Sequence, residues 1–146
     1  MAVQPKELFS NTTKNSYPRI RPAADGAAPK RFDGVAGAPT LLVGTPVAYD
    51  TSVNLWVKMD DAGSNGANII RGFVYPDDIE LHASNETIGS VMIKGTIHRD
   101  DVIDHNTDTP QSAAGDPGVD GALAGGEGTP TPEELGLIVQ GLKDVR

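Results

Sequence analysis

The chain has no cysteine, so disulfides and thiolate metal sites are excluded and nothing points to an oxidising compartment. Aromatic residues are also scarce: one Trp, three Tyr and three Phe, or 5%. Apolar residues make up 38%, which is low for a globular domain and leaves a core few places to draw from. No apolar run approaches the roughly 20 residues a membrane helix needs. The opening Met1-Ala2-Val3-Gln4-Pro5-Lys6-Glu7 has no apolar stretch of the signal-peptide kind, so no secretory signal is expected. Without one, the glycosylation patterns at Asn11-Thr12-Thr13 and Asn85-Glu86-Thr87 carry no weight.

Positive charge is in short supply as well. Twelve Lys and Arg stand against twenty Asp and Glu, for a net charge of −8. The imbalance is uneven. Residues 1–35 hold six Lys or Arg and three Asp or Glu, whereas residues 36–146 hold six and seventeen. An acidic body with no basic stripe argues against nucleic-acid binding through the core. The basic beginning suits either an acidic partner surface or a solvated tail.

What is present is turn chemistry and short β-forming runs. Seventeen Gly and eleven Pro punctuate the 146 residues, a length that fits one domain. The stretch from Thr45 to Ile97 holds the only Trp, two of the Tyr and one of the Phe. Its runs Thr45–Asp50, Val53–Val57, Asn68–Val74, Ile79–Ala83 and Ile88–Ile97 are rich in β-branched residues and bounded by Asp, Asn, Gly or Pro, which reads as strands joined by turns. Leu41-Leu42-Val43 is the first dense apolar run. Asn65-Gly66 suits a turn with positive φ, and Gly72 inside a strand suggests a bulge or a close backbone approach. Val53, Leu55 and Val57 are expected to share one face, and Ile93 and Trp56 are expected in the core.

The ends look different. Residues 1–39 have five Pro and no apolar periodicity, so they read as an extended N-terminal arm ahead of a β-rich domain over 40–146. Within that arm, Tyr17, Pro18, Arg19, Ile20, Arg21 and Pro22 form a candidate partner-binding segment. The prolines favour extended backbone, which suits a groove or a partner's sheet edge. Residues 100–130 lack any aromatic and read as a long polar loop. Over 131–146, Thr131 can cap, Pro132 fits the first helical position and Glu134 completes a capping box. Gly136 then stops a short helix, and Leu137–Gln140 forms a closing strand.

His98, Asp100, Asp101, Asp104 and His105 are the only dense set of potential ligands or acid–base groups, and their spacing fits no metal template. No phosphate-cradling Gly loop and no Gly-x-Ser-x-Gly elbow occurs. The expectation is a non-catalytic protein with no cofactor and no metal. Two other classes stay open: a free-standing β-rich carbohydrate-binding or adhesion module, which an exposed aromatic cluster would favour, and a small metal-dependent enzyme using the His98–His105 cluster.

Thr45-Pro46-Val47-Ala48-Tyr49-Asp50, Val74, and the phrase Val91-Met92-Ile93-Lys94-Gly95-Thr96-Ile97-His98-Arg99-Asp100 are followed near the end by Glu133-Glu134-Leu135-Gly136-Leu137-Ile138-Val139. Together they resemble the head-decoration, or capsid cement, proteins of tailed bacteriophages. The resemblance covers about residues 40–100 and 130–142, with no counterpart for 101–130. It implies a mainly β, β-tulip-like or barrel-like domain, usually trimeric, made in the host cytoplasm. Such a protein sits on the outer surface of the virion. There it stabilises the expanded shell by clamping neighbouring major capsid subunits through its arm.

Overall fold

The computed structural model describes residues 20–98, 101–104, 109–110 and 132–140. In chain order its strands are β1 (Ile20–Pro22), β2 (Ala27–Phe32), β3 (Thr40–Leu41), β4 (Pro46–Asp50), β5 (Leu55–Lys58) and β6 (Gly72–Val74). They continue with β7 (Ile79–Glu80), β8 (Thr87–Met92), β9 (Gly95–His98), β10 (Ile103–Asp104), β11 (Thr109–Pro110) and β12 (Leu137–Gln140). The protein is mainly β, and Glu133–Leu135 forms a single turn of 3-10 helix.

Five strands close into a barrel in the order β2-β5-β4-β6-β8. Because successive side chains alternate across a strand, each wall strand serves two faces. The inward face carries Phe32, Val47, Val74 and Val91, packed with Leu41, Ile79 and Leu81, and Trp56 closes onto the same cluster. Leu41 and Ile79 come from the paired strands β3 and β7. A barrel this narrow needs small residues opposite large ones. A Cβ at Gly72 would stand 2.4 Å from Val91 Cγ1, and one at Gly89 would stand 2.4 Å from Ile79 Cδ1.

The outward face of part of the same wall carries a second core. Ala48, Phe73 and Met92 point away from the barrel interior and pack with Met59, Ile70, Ile97, Val102, Leu137 and Val139. Ile97, Leu137 and Val139 belong to a three-stranded sheet of order β1-β9-β12, in which β9 pairs antiparallel with β1 and parallel with β12. The architecture is therefore a barrel with a small sheet laid against one side.

The chain crosses between these layers twice, side by side. The turn between β1 and β2 donates Ala23 N–H to Lys94 O at 3.0 Å, and Ile93 N–H donates to Gly26 O at 2.6 Å. The run read from the sequence as one long strand, Ile88–Ile97, is thus two strands. Ile93 and Lys94 carry the chain from the barrel to the sheet, and Ile93 is half-buried against the barrel cluster rather than central to it. Gly95 makes the turn at φ 143°, where a Cβ would fall 2.4 Å from Arg21 O.

The described residues correct the sequence reading in other places as well. Residues 20–32, assigned to an unpacked arm, form β1 and β2, and β2 pairs with β8 over its whole length. Ala27-Ala28-Pro29-Lys30-Arg31-Phe32 hides its strand character because only Phe32 is both large and buried. The segment 100–130 does not begin as a polar loop. Val102 and Ile103 are buried, Ile103 N–H donates to Gly44 O at 3.0 Å, and β10 pairs with β11; the rest of the segment lies outside the described residues. Val53 is 45% exposed in a turn and does not share a buried face with Leu55 and Val57. The strand expected from Ile69 begins only at Gly72.

Two expected turn features are present. Asn65 and Gly66 have φ of 58° and 93°. Gly136 ends the 3-10 turn at φ 91°, its N–H donating to Glu133 O. The turn has no side-chain cap, and Thr131 lies outside the described residues.

Two stability predictions follow from this packing. Gly26→Ala would place a Cβ 2.2 Å from Lys94 O, so chemical denaturation should show a loss of at least about 2 kcal/mol, as in overpacked cores. Phe73→Ala should cost about 3–5 kcal/mol, because Phe73 is fully buried in the second core.

Candidate functional site

Two of the positions proposed for partner binding are built into the fold. Ile20 pairs with Ile97 and packs on the second core. Pro22 pairs with Gly95, and both Ile20 and Pro22 are half-buried. Arg21, between them, alternates to the opposite face of the sheet and is exposed. It shares that face with Thr96 and with Ile138, which is 51% exposed, because both Arg21 and Ile138 pair with Thr96. Tyr17, Pro18 and Arg19 lie outside the described residues. A free segment spanning 17–22 is therefore corrected: its last three residues form β1, an edge strand among the described residues.

Of the histidine and aspartate cluster, His98 ends β9 and Asp101 follows it within the described chain, each with a bonding partner of its own. Asp104 belongs to β10, while Asp100 and His105 lie outside the described residues. Among the described residues no three His, Asp or Glu side chains gather as a metal site. No helix among them is long and apolar enough to cross a membrane.

The structure brings together a group that the sequence does not single out. Phe32 of β2 is paired with Trp56 of β5, and Trp56 with Tyr49 of β4. Paired residues project to one side of a sheet, so the three rings lie on the barrel's inward face. Phe32 is fully buried. Trp56 and Tyr49 are half-buried at its margin, with ring centroids 6.5 Å (Phe32–Trp56) and 6.1 Å (Tyr49–Trp56) apart. Trp56 is accordingly not the core residue the sequence suggested. Lys30, two residues before Phe32 on the same face of β2, carries its Nζ 5.4 Å from the indole centroid. That is within range of a cation–π attraction.

The margin exists because the barrel closes thinly there. β2 meets β5 at the single pair Phe32–Trp56, extended by Asp33 N–H donating to Trp56 O at 3.0 Å. Backbone groups alternate sides along a strand, so Pro29, four residues before Asp33, turns its nitrogen toward the same seam. Having no N–H, it offers no donor to an incoming strand, a usual way of blunting an open edge. The seam therefore presents side chains rather than backbone.

The β4–β5 turn beside this group is tied by Asp50. Its carboxylate accepts from Ser52 Oγ at 2.6 Å and from Ser52 N–H at 2.8 Å. The Ser52 hydroxyl first, then the Ser52 N–H and, least, the Val53 N–H hold its pKa below the ordinary 3.8, while burial acts the other way. A depressed carboxylate contributes stability above its unfolded pKa and loses it as the pH falls through the folded value. In thermal melts, Asp50→Asn should therefore lie below the parent protein at pH 7. The gap should close as the pH falls below 3.8.

Comparison with known proteins gives no match, either to a protein-family model or to a curated protein sequence.

Proposed function

We propose that the chain is a non-catalytic structural protein of a phage virion. It binds the outer surface of the capsid and stabilises the expanded shell by bridging major capsid subunits. In this reading the barrel and its side sheet are a β-tulip-like body, assembled as a trimer, and the segment before β1 is the clamp. The sequence resemblance motivates the reading. The observation that carries it is where the basic N-terminal segment joins the fold.

Residues 1–19 hold three Lys or Arg and one Glu, and they run directly into β1, an edge strand of the side sheet among the described residues. A basic segment entering at a sheet edge suits strand addition or groove binding on an acidic partner. Ordering it costs about 1–2 kcal/mol per residue, and many copies on a lattice offset that cost through effective concentration. Arg21, at the root of the segment and exposed, would set its orientation.

A second reading, a carbohydrate-binding module, is favoured by the half-buried Tyr49–Trp56 pair alone.

Truncation separates the segment from the fold. Removing residues 1–30 deletes β1 and most of β2, so the barrel should fail to fold and the circular dichroism melt should disappear. Removing residues 1–18 should leave the melt nearly unchanged but weaken cosedimentation with expanded capsids at least about tenfold, the effect expected when several anchoring contacts go at once. Equal cosedimentation by the 1–18 deletion would reject the clamp.

A further inference from the structure

We infer that the Lys30–Tyr49–Trp56 group at the β2–β5 seam is a docking site for an acidic protein segment, with Trp56 as its anchor. This rests on the capsid-binding reading and assigns it a second contact, separate from the N-terminal segment.

Four observations carry it. Trp and Tyr are the residues that most often dominate binding energy, and they do so when a rigid ring stands partly exposed over a packed floor. Trp56 is held against such packing: fully buried Phe32 stands beside it, Tyr49 meets it edge-on at 72°, and Asp33 N–H bonds its carbonyl.

The group is also locally basic in a chain whose residues 36–146 hold seventeen acidic against six basic side chains. Lys30 lies over the indole. Lys58 is two residues beyond Trp56 on the same strand face and has a bonding contact within the chain. The nearest carboxylate along β4, Asp50, pairs with Leu55 and so alternates to the opposite face, where Ser52 engages it.

Lys30 covers part of the ring face on which a sugar would stack, and its charge attracts carboxylates. The chemistry therefore favours an acidic peptide over a glycan. Finally, Pro29 removes a donor from the seam, so recognition there runs through side chains and not through strand addition. An acidic residue pairing with Lys30 beside an apolar residue on Trp56 and Tyr49 is the complementary pattern.

Trp56 is the chain's only tryptophan, so its fluorescence reports on this site alone. The test titrates the full chain with a tryptophan-free peptide of alternating Glu and Leu. The expected result is a saturable change in Trp56 emission that weakens as salt rises and is lost in Lys30→Glu. A neutral Gln-Leu peptide should give no such change. In cosedimentation with expanded capsids, Lys30→Glu should bind about thirtyfold more weakly, the loss that marks a binding hot spot, with an unaltered melt. Trp56→Phe, which keeps the packing on Phe32, should also weaken binding.

If the parent chain does not bind capsids at all, the capsid reading fails. If the parent binds and Lys30→Glu binds equally well, this site fails while that reading stands. Emission that ignores the acidic peptide but responds to a soluble oligosaccharide would overturn the inference in favour of a glycan.

Discussion

Everything in this fold depends on two backbone segments lying against each other where the chain changes layers. The β1–β2 turn and the β8–β9 link cross side by side, joined by the Ala23–Lys94 and Ile93–Gly26 hydrogen bonds. A side chain at Gly26 or Gly95 would occupy the space of the opposing backbone. The contact lets β8 belong to the barrel and β9 to the side sheet with only two residues between them. Were the crossing wider, β1 and β9 could not both reach the outer face of the barrel, and the second core would lose one wall.

That second core explains how a chain with 38% apolar residues stays compact. Where β4, β6 and β8 run side by side, the wall is buried on both faces: Val47, Val74 and Val91 fill the barrel, and Ala48, Phe73 and Met92 face the side sheet. Each strand residue there excludes water from one core or the other, so few strands serve two apolar clusters. Among the described residues the outward face of β2 has no such cover. Ala27, Pro29 and Arg31 are exposed, and Arg31 pairs with Glu86 across the surface. Such an exposed pair adds little stability. The barrel is consequently thick on one side and thin at the β2–β5 seam, and its half-buried aromatic rings stand at the thin place.

For the capsid-binding role proposed above, this asymmetry is useful. The thick side holds the shape, while the edge strand β1 and the seam offer different chemistry to a partner. β1 follows a basic stretch of sequence, and the seam presents an indole under a lysine. Neither feature needs a deep cavity or a gathered set of titrating groups. A lattice partner that touches a subunit at more than one place draws on both contacts together.

The sequence by itself determined what is local. Runs of β-branched residues between Asp, Asn, Gly and Pro made the protein mainly β. Asn65-Gly66 and Gly136 marked turns that adopt positive φ, because backbone sterics act within a few residues. Gly72 signalled a close approach, although not that Val91 was the neighbour. What the tertiary structure decided is pairing over distance. β2 looked like an arm because Ala, Pro, Lys and Arg show no apolar alternation; its place comes from six partners on β8, about sixty residues away. Val102 and Ile103, isolated among acidic residues, are buried beside Gly44, where a Cβ would meet the Asp101 carbonyl. Trp56, flanked by Leu55 and Val57, read as core. Its half-exposed position arises because β2 and β5 meet at one pair, a feature of barrel closure that no local pattern encodes.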